Sequence, residues 1–395
     1  MTLRVAIVGG GIGGVAAALF LQRAGIAATV YEQTRELRET GAGLVVPPNM
    51  VRLLDELGLL AALQQHAVKL EAAWEFRRWQ DGRVLFVQPM GDACLELYGA
   101  HCYVAHRADL LATLQQALPL DCLRLDHRLT GQTVPVRGVS ARFEHRNGGS
   151  TRIEADVLIG ADGIHSLLRE TVAPQEDARF SGLCAFRCLV PAAQAPAMAL
   201  RPVQTLWLGP GRHLVHYPIS AGRLVNIVAI VPAGDWQAES WTAEGRVSDM
   251  QDAFVGWADP VQQLLAAATD TRRWALVDRS PLPRWSDGRI TLLGDAAHAM
   301  LPFFAQGAAQ AIEDAAVLAD CLAGITAPDV PAALQRYEAR RRPRASQVQL
   351  MSRGREIRNH LPDGPEQAER DRDFAHGDPL RQSAWLYGRD PRAEA

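Results

Sequence analysis

No run in this 395-residue sequence approaches the roughly 20 uncharged apolar residues that a helix needs to cross a bilayer, which argues against a membrane span. Cysteine is scarce: the six residues Cys94, Cys102, Cys122, Cys184, Cys188 and Cys321 lack the paired short spacings of a zinc site. Cys184 and Cys188, the nearest pair, would share one face of a strand too far apart to bond, so reduced thiols are expected. Excess charge of either sign is also missing. A formal net charge of −3 gives nucleic acid or an anionic membrane nothing to attract at the whole-chain level. The first strand-like run, 3–8, follows Met1 so closely that no secretory leader fits, and a cytoplasmic location is expected. Internal repeats and low-complexity linkers are lacking, so domains should interleave rather than follow one another. Apolar residues, by contrast, are plentiful at 48%, enough for a large core in two or three domains.

Residues 3–32 read as one unit. An apolar strand runs into Gly9-Gly10-Gly11-Ile12-Gly13-Gly14, an alanine- and leucine-rich helix follows to Ala24, Gly25 stops it, and a second strand, 28–31, ends at Glu32. This is the strand, turn, helix, strand and terminal acid of a dinucleotide-binding βαβ unit, with the acid about 20 residues beyond the glycines. Gly9 permits the tight turn, Gly11 lets backbone approach a pyrophosphate, and Gly14 lets the helix pack on the sheet. The Glu32 carboxylate suits ribose hydroxyls and repels a 2′-phosphate, favouring FAD or NAD over NADP at this site.

Two later glycine turns have the same character. Residues 155–163 form a buried strand ending in Gly160-Ala161-Asp162-Gly163, followed by a helix opened by Ser166. Residues 290–295 form a strand running into Gly294-Asp295, then Ala296-Ala297-His298, Pro302 and a helix from about Ala308 to Leu322. Gly307 and that helix start leave backbone N–H groups unpaired, which makes an anion site. Between the first two turns, Gly41 to Asn49 can lay backbone along a flat ring or serve as a plain βα connection. Arg107 sits just before a helix carrying Leu110, Leu111 and Leu114, and is either a ligand contact or a solvated arginine near a cap.

Residues 74–98 alternate apolar and polar like half-buried strands, and 180–232 and 274–283 read as antiparallel strands around a helix over 248–268. Arg340-Arg341-Arg342-Pro343-Arg344 lies in an amphipathic helix with a proline interruption and reads as a solvated basic face rather than a nucleic-acid patch. The charged tail, 362–381, is poor in apolar residues, but Trp385, Leu386 and Tyr387 offer anchors that could dock it.

With its three glycine turns in this order, the sequence resembles the single-component (group A) flavin-dependent aromatic hydroxylases, which include salicylate and 6-hydroxynicotinate hydroxylases. The resemblance spans nearly the whole chain. It implies an α/β fold like that of p-hydroxybenzoate hydroxylase, in which a Rossmann-like FAD-binding domain (1–73, 100–178 and 284–361) interleaves with a smaller antiparallel-sheet substrate domain (74–99 and 179–283), ahead of a tail (362–395). It implies FAD held by Gly9, Gly11, Gly14, Glu32, Gly43, Arg107, Asp162, Asp295, Gly307 and Ala308, with the last two near the flavin pyrimidine edge. NADH or NADPH would reduce the flavin, O2 would add to give a C4a-hydroperoxide, and its distal oxygen would attack a small aromatic acid, phenolic or N-heteroaromatic. The expected protein is a monomer or homodimer without nucleic-acid or membrane partners.

A phenol-like substrate needs a base within hydrogen-bond reach. In Arg212-His213-Leu214-Val215-His216-Tyr217, similar to the substrate-facing strand of 6-hydroxynicotinate hydroxylase, His213 and Tyr217 would share one face and His216 the other. His213, Tyr217 and Pro302 are the candidate catalytic residues, although His213 also suits a structural role, as does His298. Val45 and Phe303 stand where the 6-hydroxynicotinate enzymes carry polar rings, which favours a benzenoid acid over a pyridine. The same scaffold also serves flavin epoxidases and reductases acting on apolar substrates, and FAD-binding paralogues without oxygenase turnover.

Overall fold

The computed structural model describes residues 3–36, 42–135, 138–173, 177–235 and 244–393. Thr40 and Gly41 of the second glycine segment lie outside them. The apolar runs that open the sequence's three motifs become neighbouring strands of a six-stranded sheet, ordered Ser286–Asp287, Ile290–Leu292, Val157–Gly160, Arg4–Val8, Ala27–Tyr31, Leu123–Arg124. All pairings are parallel except that of Ser286–Asp287. Strands buried on both faces need continuous apolar sequence, and Ile7, Val30, Val157, Leu158, Ile159 and Leu292 are all fully buried. The helices Ile12–Arg23 and Gly307–Leu322 cover one face, packed on each other.

A seven-stranded sheet forms the second layer, in the order Arg272–Asp278, Arg179–Pro191, Leu224–Pro232, Arg212–Ile219, Val203–Gly209, Ala72–Arg78, Val84–Pro89. It is antiparallel except between Val203–Gly209 and Ala72–Arg78, which run parallel, so the expectation of a wholly antiparallel sheet is corrected at that pair. Residues 91–98, read from their alternation as strand, are helical, and the helix expected over 248–268 is two helices, Val247–Asp252 and Asp259–Ala266. Gly256, at φ 80°, and Pro260 at the start of the second helix separate them. Gly43–Val46, read as loop, pairs as a strand with Tyr103–His106.

One 30-residue helix, Val330–Asn359, ties the two sheets together and continues through Pro343. The Tyr337 hydroxyl donates to the Leu292 carbonyl of the parallel sheet, 2.9 Å, and toward the helix's other end Arg353 pairs with Asp278 of the antiparallel sheet, 2.5 Å. The tail forms helix Pro365–His376 and then short turns. Phe374 stacks on Phe76 at 4.3 Å, and Leu386 and Tyr387 are buried, as the anchors implied. No helix among the described residues is long and apolar enough to cross a membrane.

Candidate active site

Val8, Gly160 and Leu292 are register partners across three adjacent parallel strands, so the glycine turns after them open side by side at the strands' carboxyl ends. That is where open α/β sheets receive ligands. At Gly9, φ is 109° and a Cβ would lie 2.3 Å from the Ala161 oxygen; at Gly14 it would lie 2.0 Å from the Gly9 oxygen. Neither position admits a side chain. Gly11 differs, because a Cβ there meets nothing within 4 Å.

Gly11 faces a cavity of about 690 Å³ that runs from Tyr31 and Glu32 past the three turns to the antiparallel sheet. Of the residues singled out from sequence, Gly9, Gly11, Glu32, Gly43, Arg107, Asp162, Asp295, Gly307, Ala308, His213, Tyr217 and Pro302 all line it. Gly14 does not; it packs on the turn behind.

The first half of this cavity fits a dinucleotide. Glu32 accepts from the Gly10 N–H at 2.7 Å and the Thr34 N–H at 2.9 Å, which fixes its carboxylate at the end of the second strand. Asp162 accepts from the Leu167 N–H at 3.0 Å through one oxygen, while the other is buried without a partner among the described residues. Burial raises the pKa of this carboxyl, and a hydroxyl donor would satisfy it. Asp295 is the one exposed residue in the buried stretch 290–299 and looks into the cavity. Gly307 begins a 16-residue helix with open space where a Cβ would be. Open glycine backbone, carboxylates and a helix N-terminus are what a flavin nucleotide's phosphates, sugar hydroxyls and pyrimidine edge require.

The second half is a chamber under the antiparallel sheet. His213, Val215 and Tyr217 alternate onto one strand face and line it, with Val228 and Ile230 from the next strand, whereas His216 points into the opposite side. Facing them is the turn Pro302–Phe304, which ends at Ala305 with φ 52°. Gly43 is held against this wall: its N–H donates to Asn226 Oδ1 at 2.8 Å, and a Cβ would come within 2.7 Å of the Tyr217 ring. His213 Nδ1 lies 2.6 Å from His360 Nε2. Burial, and then the neighbouring His360, hold the His213 imidazole well below its usual pKa, and burial with Arg370 takes His360 to about 4. Burial pushes the Tyr217 phenol up, although Arg187 opposes the shift, so Tyr217 remains a donor.

Sequence reasoning missed His360, Arg187, Arg355 and Asn359, and took Tyr387 only as an anchor of the tail. Arg187 lines the chamber from the strand Arg179–Pro191, its guanidinium 3.8 Å from the Trp274 ring centroid. Arg355, Asn359 and Tyr387 line the far end. The only signal for Arg355 and Asn359 was their four-residue spacing on a helix, which puts both on one face.

The arginine run is where the sequence reading fails outright. Arg341 is 0% and Arg344 5% exposed, so they form no solvated face. Arg341 pairs with Asp314 and Glu313, each at 2.8 Å, and Arg344 with Glu313 at 2.8 Å. Asp314 also accepts from the Gly294 N–H, 3.0 Å, and lies 2.6 Å from His298 Nε2, while Glu313 accepts from Asn49, 2.7 Å. Burial alone would raise both carboxyls. For Asp314, His298 and Arg341 outweigh it, and for Glu313 the two arginines and Asn49 do, so both stay ionised. The third glycine turn and the start of helix Pro48–Glu56 are thereby fixed from behind by a buried ionic network. His298 is part of that network, at 0% exposure, and does not reach the cavity.

Residues 2–352 match a family model described as an FAD binding domain. The chain is 44% identical over 385 residues to 3-amino-4-hydroxybenzoate 2-monooxygenase PtnB3 of Streptomyces platensis, covering 98% of this chain and 96% of the relative. It is 38% identical over 353 residues to 6-hydroxynicotinate 3-monooxygenase of Pseudomonas fluorescens, covering 88% and 90%. Among solved structures, Klebsiella pneumoniae HpxO complexed with FAD and uric acid superposes with a TM-score of 0.85 at 29% identity, over 98% of this chain and 96% of that one. Three glycine turns in register, a cavity shaped for a flavin nucleotide and likeness along the whole chain lead to one conclusion: the chain belongs to the FAD-dependent aromatic monooxygenases.

Proposed function

We propose that the protein hydroxylates a small benzenoid acid bearing a ring hydroxyl, with NADH or NADPH as reductant and O2 as oxygen source. The observation that carries this reading is the pairing of His213 and Tyr217 on one strand face, opposite Pro302, in a chamber continuous with the nucleotide cradle. In this reading Glu32 takes the ribose hydroxyls and Gly11 backs the pyrophosphate. Arg107, Asp162 and Asp295 hold phosphate and ribityl groups, Gly43 lies along the ring, and the N–H groups of Gly307 and Ala308 meet the pyrimidine edge. Bound FAD supplies the reduction by pyridine nucleotide and the activation of O2.

The protein's own residues prepare the ring. His213, held neutral by burial, accepts the ring-hydroxyl proton at Nε2 when its Nδ1–H donates to His360. His360, 2.6 Å from His213 Nδ1, gives a proton an exit from the chamber. Tyr217, kept protonated, orients the substrate by donation. Val45 and Phe303 bring apolar surface to the chamber, which supports a benzenoid ring over a pyridine. Two guanidiniums in the lining, Arg187 and Arg355, speak for an anionic substrate over an isoprenoid.

The test is to screen hydroxylated and aminated benzoic acids, 3-amino-4-hydroxybenzoate included, for stimulated NADH and NADPH oxidation by the FAD-loaded protein, with product analysis. A hydroxylated acid formed in step with nucleotide consumption is the expected result. No stimulation by any aromatic acid, or hydrogen peroxide as the only product, would reject the reading.

A further inference from the structure

The far end of the chamber carries a guanidinium that no carboxylate pairs with among the described residues. Arg355 lines the cavity, and among the described residues it has no ion pair and no hydrogen bond; its one contact partner of note is the Phe304 ring, 5.7 Å from the guanidinium carbon. Arg358 beside it adds like charge. One turn further along the same helix, Asn359 is 1% exposed, lines the same cavity, and leaves its Oδ1 without a partner among the described residues. An unpaired, half-buried cation and an unsatisfied buried amide are each costly, and natural interiors avoid both unless a ligand completes them. The surrounding wall is aromatic: Trp74, Phe76, Phe304 and Tyr387. Trp74 is held at φ 48°, a conformation a bulky residue rarely adopts, and its ring lies parallel to that of Tyr387, 6.4 Å away. The next residue after Asn359 is His360, the partner of His213.

We propose that Arg355 and Asn359 form the carboxylate subsite of the chamber, gripping the acid group of an aromatic acid so that its ring lies against His213. The inference rests on the reading of the protein as an aromatic-acid hydroxylase and assigns the residues that select the acid. Guanidinium and amide N–H groups on one helix face offer parallel donors to the two oxygens of a carboxylate, the amide atoms being distinguishable only by their partners. Because the grip lies on the long helix and the base on the sheet, the carboxylate fixes which ring carbon is presented to the flavin side.

The test is a binding titration on the FAD-loaded protein without pyridine nucleotide, read from the flavin absorbance change, with 3-amino-4-hydroxybenzoate and its decarboxylated analogue 2-aminophenol. In the wild type the acid should bind more tightly. Arg355→Met should weaken the acid by about 10–100-fold, since a charge-assisted contact is lost, and leave 2-aminophenol within about threefold. Arg355→Lys should fall between. Removing an unpaired, half-buried cation should leave the thermal midpoint of Arg355→Met at or above the wild-type value, which a structural arginine would not do. Equal weakening of both ligands, an unchanged preference for the acid in Arg355→Met, or loss of that preference only in Arg187→Met would each overturn the subsite. Binding is read without turnover, so acid bound through Arg355 but never hydroxylated would refute the proposed reaction and leave this site standing.

Discussion

At the scale of single residues, the cavity sets carboxylates at its nucleotide end against groups held neutral in its chamber. Asp295 is the carboxylate best placed to meet sugar hydroxyls, being the one exposed position of its buried stretch. Asp295→Ala should weaken FAD by about 10–100-fold, the loss of one charged hydrogen bond, measured by fluorescence titration of the apoprotein. Unchanged affinity would place Asp295 outside the contact shell. On the neutral side, His213→Ala should slow hydroxylation by about 10²–10⁴ if it is the base, and Tyr217→Phe by less. In both variants the flavin spectrum should persist while nucleotide oxidation drains into hydrogen peroxide. Two variants with wild-type rate and coupling would move the base elsewhere.

The buried histidines also set a pH response. His216, whose ring nitrogens have no partner among the described residues, is pushed down to about 3, first by burial and then by Arg77 and Arg201. Its native pKa lies below the unfolded one, so below about pH 6.5 the unfolded chain binds a proton that the native one refuses. Stability is therefore complete above that pH and falls with acidification by about 1.4 kcal/mol per pH unit for one such group. Replacing His216 by Leu should reduce the loss of urea midpoint between pH 7 and pH 5. A slope as steep as that of the wild type would show that His216 titrates normally.

Among the elements, the helices Gly307–Leu322 and Val330–Asn359 meet through Arg341, Glu313 and Asp314, with His298 of the third turn bonded to Asp314. Arg341→Met strands two buried carboxylates and should cost about 3–5 kcal/mol in chemical denaturation. Arg246→Met loses a pair with Asp249 in which the arginine is 81% exposed, and should leave the denaturation midpoint at the wild-type value. Equal losses would mean that the network is not desolvated. This contrast also marks how far the sequence could be read. Glycines at 9, 14 and 294 announce themselves because their backbone geometry admits no other residue, and the two-residue period of 213–217 fixes which side chains share a face. Nothing local tells a buried arginine from a solvated one: the balancing acids Glu313 and Asp314 are nearly thirty positions away and look like any polar pair on a helix. Arg355, Asn359 and His360 were invisible for the same reason, since their meaning depends on where the end of a long helix docks.

Over the whole molecule, the tail is part of the chamber. Arg344 donates to the carbonyls of Trp385 and Leu386, at 2.6 and 2.7 Å, and Arg52 donates to that of Arg389 at 2.9 Å; together they set Tyr387 against the cavity. Deleting residues 378–395 should raise the apparent KM for the aromatic acid several-fold and divert more oxygen to peroxide, because the chamber then opens to water. FAD retention should hold, since the glycine turns are built elsewhere. Unaltered coupling in the truncated protein would show that the tail only covers the surface.

The order of strands in the parallel sheet has a consequence for how the protein comes into being. Arg4–Val8 is made first and ends in the middle of the sheet, but its neighbour Val157–Gly160 follows some 150 residues later and Ile290–Leu292 later still. At translation rates of about 5–20 residues per second, the third glycine turn leaves the ribosome on the order of 15–60 s after the first. For that interval an apolar strand with an unpaired edge waits in the nascent chain, exposed to chaperones and to other copies of itself. Some 285 residues must therefore be added after the first turn before the three can stand side by side.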